Sequence, residues 1–229
     1  DHATGEMILL LNPDTEVVGN MLQSLSSYLH DHPTVGIVGP HTLNTDGTTQ
    51  SSRRRFPTKA LAFLESTWLQ TLTPQRMLDT FTIDDAEDRS TFDVDWIQGH
   101  ALMARRDVYE AIGGLDTDYV MYFEELDWCK RAKAAGWRVV YHGQAQVIHH
   151  GGQSSAQAGA YQYIQFNRSK IHYYRKHHGA AFAFLLRAFL LTMFAVQTMI
   201  ESTKLALRHK PTLRRKRVGI YWHVIRSGL

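Results

Sequence analysis

Near its start the chain carries an unbroken apolar run, residues 7–11 (Met-Ile-Leu-Leu-Leu), which Asn12-Pro13-Asp14-Thr15 cuts off. Five apolar residues without alternation read as a strand buried on both faces, as in a parallel sheet. Residues 18–29 follow with Met21, Leu22, Leu25 and Leu29 at helical spacing and stop ahead of Pro33. Val35-Gly36-Ile37-Val38 is a second buried strand. Strand, helix, strand in that order calls for a right-handed crossover and an α/β layer architecture.

The pattern continues in short elements. Asp46-Gly47 is a turn signal for a small hairpin over residues 42–52. Arg53-Arg54-Arg55-Phe56-Pro57 reads as a basic loop and residues 60–72 as helix. Over residues 73–92 periodicity is lost and acids gather (Asp84, Asp85, Glu87, Asp88), the pattern of a long mobile loop. Strands are expected at 94–97 and 101–104, on either side of Gln98-Gly99-His100. A short helix at 106–112 closes at Gly113-Gly114, and a helix at 124–135 closes at Gly136. Further strands are expected at 138–141 and 145–148, and from about residue 157 the pattern is helical throughout. The expected organisation is an α/β domain over residues 1–155 and a helical, basic region over 156–229.

With 229 residues, 44% of them hydrophobic, the chain can bury a sizeable core. Its one cysteine, Cys129, excludes an internal disulfide and fits a reducing, cytoplasmic setting. The net charge of +3 hides an asymmetry: after Glu201 there are eight lysines and arginines and no acid, so the preceding body is net acidic. A basic end of this kind suits anionic lipid. The acidic body, with Arg53-Arg54-Arg55 its only basic run, argues against nucleic acid as a partner.

Three segments can carry chemistry. Asp14 follows a buried strand, where α/β sheets bind ligands, and its carboxylate suits a hard divalent cation such as Mg²⁺ or Mn²⁺; capping the next helix is the plainer role. Glu124-Glu125-Leu126-Asp127-Trp128 crowds three carboxylates into the first turn of a helix. Helix-dipole complementarity explains the charge. It does not explain the neighbouring Tyr119, Tyr122, Phe123 and Trp128, an aromatic wall that suits carbohydrate. One of these carboxylates can serve as general base toward a hydroxyl, and the helix start is expected to keep it ionised. His149-His150-Gly151-Gly152-Gln153-Ser154 ends the last strand with imidazoles that suit Mn²⁺, although most of the 13 histidines in such a chain are structural or solvated.

Taken in order, Leu9-Leu10-Leu11-Asn12-Pro13-Asp14-Thr15, Trp96-Ile97-Gln98-Gly99-His100-Ala101-Leu102-Met103, Ile112-Gly113-Gly114-Leu115-Asp116, Met121-Tyr122-Phe123-Glu124-Glu125-Leu126-Asp127-Trp128-Cys129 and His149-His150-Gly151-Gly152 resemble the family-two glycosyltransferases, in particular their rhamnosyltransferase-like branch. The resemblance covers roughly residues 5–155. It implies a partial GT-A fold, a mixed sheet flanked by helices, and an inverting, metal-dependent transfer of a sugar from a nucleotide-sugar to a glycan or lipid-linked acceptor. Rhamnose is the sugar that branch suggests. Asp14 and His149 fall at the family's metal-ligand positions, with His150 the alternative to His149 and Asn12 where the family more often has an acid. Glu125 falls at the catalytic-base position, with Glu124 the alternative. Asn12, Arg55, Trp96, Gly99, His100, Asp127 and Trp128 are expected to line the donor and acceptor cleft. The family's first strand and nucleotide-base segment have no counterpart here, so a longer fold, or a non-catalytic partner subunit, is expected; a metal-dependent hydrolase is the remaining alternative.

Residues 180–200 are apolar enough to span a bilayer, but Arg187, Gln197 and Thr198 interrupt them. An amphipathic helix lying on the inner face of the membrane, aided by Arg214-Arg215-Lys216-Arg217 and with Tyr221 and Trp222 at headgroup level, is the expectation. A core helix packed on the domain is the plainer alternative.

Overall fold

The computed structural model describes residues 4–65, 67–72, 81–83, 86–151 and 159–229. They form two compact units: Asp1–Pro57, Pro74–Asp116 and Glu124–Gln153 make the first, and Thr58–Thr73, Thr117–Phe123 and Ser154–Leu229 the second. The expected boundary near residue 155, and Asp84, Asp85 and Gly152 to Ser154, lie outside the described residues.

The first unit is a mixed α/β layer. Its strands are β1 (Met7–Leu11), β2 (Thr15–Val18), β3 (Val35–Leu43), β4 (Thr49–Gln50), β5 (Arg53–Arg54), β6 (Thr91–Asp93), β7 (Trp96–Ile97), β8 (Ala101–Arg105) and β9 (Arg138–His149). The main sheet runs β1-β8-β3-β9-β2, with β4 on β3 and β6 on β9; β5 and β7 form a separate pair. Among the described residues the one parallel pairing is β3 with β9; β8 lies antiparallel between β1 and β3. The strand–helix–strand start therefore does make β1 and β3 run the same way, but not as neighbours. It also leaves β1 at the end of the described sheet order, half-buried and with Leu11 exposed, where a strand buried on both faces was expected.

Helix α1 (Met21–Asp31) covers this sheet. Met21, Leu25 and Leu29 recur every fourth residue and bury one stripe against Val35, Val38, Ala101, Met103, Val140, Ala145 and Val147. The helix begins three residues later than its spacing suggests, because Thr15–Val18 pairs with β9 as a strand. The Asp46-Gly47 hairpin forms as expected, with Thr42 opposite Gln50 and Leu43 opposite Thr49. The two strands expected at 138–141 and 145–148 are one strand, β9, whose register against β3 slips between Pro40 and His41.

Arg53 corrects the reading of a basic loop. It lies in β5, buried, where Nε donates to Ile83 O (2.5 Å) and Nη2 to Ala86 O (2.9 Å) and to Asp88 Oδ1 (2.8 Å), with its guanidinium over the Tyr141 ring. A run of like charges reads as solvated unless an acid and free carbonyls are known to meet it, and those come from residues 83–88.

Two helices complete the unit, α3 (Arg106–Ile112) and α4 (Glu124–Ala134). Gly113 ends α3 with φ 75°, a conformation open to glycine, and its carbonyl accepts from Trp128 Nε1 (2.9 Å). Arg131 joins Asp127 Oδ2 (2.8 Å) to the carbonyls of Ile112 (2.6 Å) and Gly114 (2.7 Å). The Gly-Gly turn is thus the seat of the buried face of α4.

The second unit is helical. Helix α2 (Lys59–Leu64) and a 3-10 turn (Trp68–Leu72) take the place of the single helix expected at 60–72. Long helices α5 (Gly159–His178), α6 (Ala180–Ala206) and α7 (Pro211–Ser227) follow. Lys170 is buried yet satisfied, donating to Glu65 O (2.9 Å). Tyr119 and Phe123 are buried here, Phe123 beside Phe166 and Tyr173; with Trp128 buried in the first unit, three of the four expected wall aromatics are core and Tyr122 is half-buried. Helix α6 is long and apolar enough to cross a membrane by length and composition, with 22% of its most apolar stretch buried. It packs through Ala183, Leu186, Leu190 and Phe194 and exposes Phe184, Leu185, Met199 and Ile200.

Candidate active site

The site lies wholly in the first unit and is assembled by strand ends. β1 stops at Leu11, and Asn12 N donates to His100 O (2.9 Å). The turn that follows is closed by Thr15 N on Asn12 O (3.1 Å), and the chain then enters β2. Thr15 pairs with His149 across the antiparallel ladder, and His150 N donates to Asp14 O (2.9 Å). Two segments 135 positions apart in sequence therefore meet, with Asp14 Oδ1 3.3 Å from His149 Nε2. Both side chains are mostly buried. His149 Nδ1 donates to Gln50 Oε1 (2.7 Å), because an amide oxygen can only accept. Nε2 is thereby left as the ring nitrogen that faces the Asp14 carboxylate, and these two atoms are the ones that could hold a cation between or beside them. One carboxylate oxygen and one imidazole nitrogen suit Mn²⁺ well and Mg²⁺ through the oxygen.

The other half of the site is joined to the first by the turn Gln98-Gly99-His100. The His100 ring stacks on His149 (centroids 4.5 Å apart, 25° between planes). One residue earlier, Gly99 N donates to Glu125 Oε1 (3.1 Å) at the start of α4. A Cβ at Gly99 would rest 3.4 Å from the Glu125 carboxylate and cover it. Glu125 Oε2 and Glu124 Oε2 are both enclosed, with no hydrogen-bond partner among the described residues. An unpaired, enclosed carboxylate oxygen is costly to bury, and that marks these two acids as candidates for a role beyond packing.

Electrostatics here differ from the expectation of an ionised helix-start acid. Burial, and then the charge of Glu124, push Glu125 up to about 7. Burial also raises Glu124. The helix dipole favours the charged forms, but enclosure of two neighbouring carboxylates outweighs it. His100 is pushed down to about 3, by burial first and then by His149 and Arg54, so it stays neutral.

The remaining residues divide. Asn12 and Arg55 are exposed. Trp96 is buried, with Nε1 donating to Arg55 O (3.0 Å). Asp127 and Trp128 are buried and engaged with Arg131 and Gly113, which ties α4 to the Gly-Gly turn. Gln50 was not anticipated; its place beside the Asp46-Gly47 turn is legible, but its distant partner His149 is not.

No family model matches the chain. Over 150 residues it is 28% identical to N-acetylglucosaminyl-diphospho-decaprenol L-rhamnosyltransferase of Mycobacterium tuberculosis, an overlap of 66% of this chain and 48% of that protein. It is 27% identical over 148 residues to the low-salt glycan biosynthesis hexosyltransferase Agl10 of Haloferax volcanii, covering 65% of this chain and 42% of that one. It is 29% identical over 152 residues to the O-antigen biosynthesis protein RfbC of Myxococcus xanthus, covering 65% of this chain and 11% of that one. The chain thus spans about half the length of the mycobacterial relative, and these similarities support a glycosyltransferase relationship.

Proposed function

We propose that this chain carries the catalytic part of an inverting, metal-dependent glycosyltransferase that moves a sugar, rhamnose in the first instance, from a nucleotide-sugar to a glycan or lipid-linked acceptor. The observation that supports the reading is the turn Gly99-His100, where the His100 ring stacks on His149 while the neighbouring Gly99 N–H donates to Glu125. A mixed sheet with flanking helices is consistent with a partial GT-A fold, and the relatives named above are a rhamnosyltransferase and a hexosyltransferase.

In this reading Asp14 and His149 would hold a divalent cation, which would supply positive charge to a diphosphate leaving group. Glu125 Oε1 is kept in place by Gly99 N–H, leaving Oε2 to accept the proton of the acceptor hydroxyl. The acceptor oxygen forms its bond to the anomeric carbon on the face opposite the breaking bond to diphosphate, so configuration inverts. Glu124 tunes the base through its charge, and neutral His100 supports the His149 ring.

The helical unit supports a second part of the proposal, attachment to the inner face of an anionic membrane. Phe184, Leu185, Met199 and Ile200 on α6 and Leu207, Leu213 and Trp222 beyond are exposed, and Arg208, Lys210, Arg215 and Lys216 in the same unit are exposed cations. Arg214 does not join them: it is buried, donating to both oxygens of Glu201 (2.9 and 2.7 Å).

The test is a transfer assay on the polypeptide that carries this chain, with a panel of nucleotide-sugars, a polyprenyl-diphosphate-linked acceptor and Mn²⁺. A glycosylated acceptor whose new linkage has the opposite anomeric configuration to the donor supports the reading. Release of free sugar with no acceptor product would point to the hydrolase instead.

A further inference from the structure

The hairpin beside the site contains a chain of hydrogen bonds with a fixed direction. Asp46 Oδ1 accepts from Thr48 N (3.0 Å) and from Thr48 Oγ1 (2.6 Å). A hydroxyl has one proton, so the Thr48 oxygen is left to accept, and Asn44 Nδ2 donates to it at 2.9 Å. That orients the Asn44 amide and turns its Oδ1 toward Gln50 Nε2 at 3.1 Å. Gln50 is oriented in turn, and its Oε1 faces His149 Nδ1 at 2.7 Å. An anion, which can only accept, stands at one end; each link then dictates the next, and the imidazole at the other end has no choice but to donate.

The backbone holds the same frame. Asn44 N donates to Thr48 O (2.8 Å) and Gly47 N to Asn44 O (3.0 Å), while Gly47 has φ 82°. Thr42 opposite Gln50 sets the register that carries Gln50 to the site edge. The Thr48 hydrogen bonds also hold the Asp46 carboxyl below its ordinary range, which keeps the origin of the chain ionised.

We propose that this surface hairpin fixes a proton of His149 on Nδ1, with Gln50 as the positioning residue that turns Nε2 toward Asp14. The consequence for a cation rests on the reading of Asp14 and His149 as its ligands; the fixed tautomer does not. A partner on the far nitrogen of a ligand histidine sets its tautomer and ring orientation, and losing such a partner typically costs about 10- to 100-fold in metal affinity.

The test uses the chelator-treated chain and two variants, Gln50→Leu, which removes the acceptor, and Gln50→Glu, which keeps one. Long-range ¹H–¹⁵N spectra, with the His149 signals identified by their loss in His149→Gln, read the tautomer without metal. Expected are Nδ1–H in the parent and in Gln50→Glu, and a shift toward Nε2–H in Gln50→Leu. Mn²⁺ titration followed by electron paramagnetic resonance should then show a 10- to 100-fold higher Kd for Gln50→Leu and rescue by Gln50→Glu. His149 with Nε2–H in the parent, or a tautomer unmoved by Gln50→Leu, overturns the proposal. Nδ1–H in the parent that responds to Gln50, in a protein that binds no Mn²⁺, upholds the hairpin's role and removes the metal reading alone.

Discussion

Asp14 Oδ1 and His149 Nε2 face each other at 3.3 Å, brought together because Thr15 and His149 are paired across the β2–β9 ladder. Nε2 is the ring nitrogen left to face Asp14 once His149 Nδ1 is committed to Gln50. Removing either ligand should therefore cost the cation rather than the fold. Asp14→Asn is expected to weaken Mn²⁺ binding about tenfold or more while the thermal midpoint without metal stays within a few degrees. Calorimetric titration checks this, and equal Mn²⁺ affinity in the parent and in Asp14→Asn would remove Asp14 from the site.

Glu125 makes a prediction about stability. Its folded-state pKa is raised above the ordinary value of 4.5 to about 7 by burial and by Glu124. The fold therefore favours the protonated carboxyl, and that contribution is complete below about pH 4.5 and lost as pH rises through 7. Glu125→Gln cannot ionise. It should melt near the parent temperature at pH 5 and a few degrees above it at pH 8. A parent that is the more stable of the two at pH 8 would contradict the enclosure of this carboxylate.

The helical unit should bring the chain to anionic lipid. Flotation with phosphatidylglycerol vesicles should carry the protein up, and phosphatidylcholine vesicles should carry little of it. Reversing Arg215 and Lys216 to Glu should weaken the anionic binding about tenfold or more, at roughly 1 kcal/mol per basic residue near a charged surface. Binding that ignores lipid charge would leave only the apolar face of α6 as an attachment, and no binding at all would remove the membrane from the proposal.

Local order was legible wherever neighbours in sequence decide it. The α1 stripe of Met21, Leu25 and Leu29, the Asp46-Gly47 hairpin and the stop at Gly113 are written in spacing and in glycine. What sequence misjudged depends on distant partners. Arg53 reads as exposed until Asp88 and the carbonyls of Ile83 and Ala86 are placed around it. The bonds of Trp128 to Gly113 and of Arg131 to Asp127 and the Gly-Gly turn likewise carry no local signal. The Glu125 carboxylate reads as ionised by the helix dipole until its burial and the neighbouring Glu124 are known. Gln50 carries no signal of its own, because nothing local distinguishes an amide that will meet a histidine 99 positions away.

The most direct trial of Glu125 as general base is single-turnover sugar transfer across pH 6 to 8, in the parent, in Glu124→Gln and in Glu125→Gln. The parent rate should rise with pH through an inflection near 7, since the base works only when ionised. Glu124→Gln removes a neighbouring charge and should move that inflection to lower pH. Glu125→Gln should transfer about a hundredfold more slowly or worse at every pH while binding the nucleotide-sugar as the parent does. Transfer by Glu125→Gln at the parent rate would take the base away from this residue and separate α4 from the chemistry.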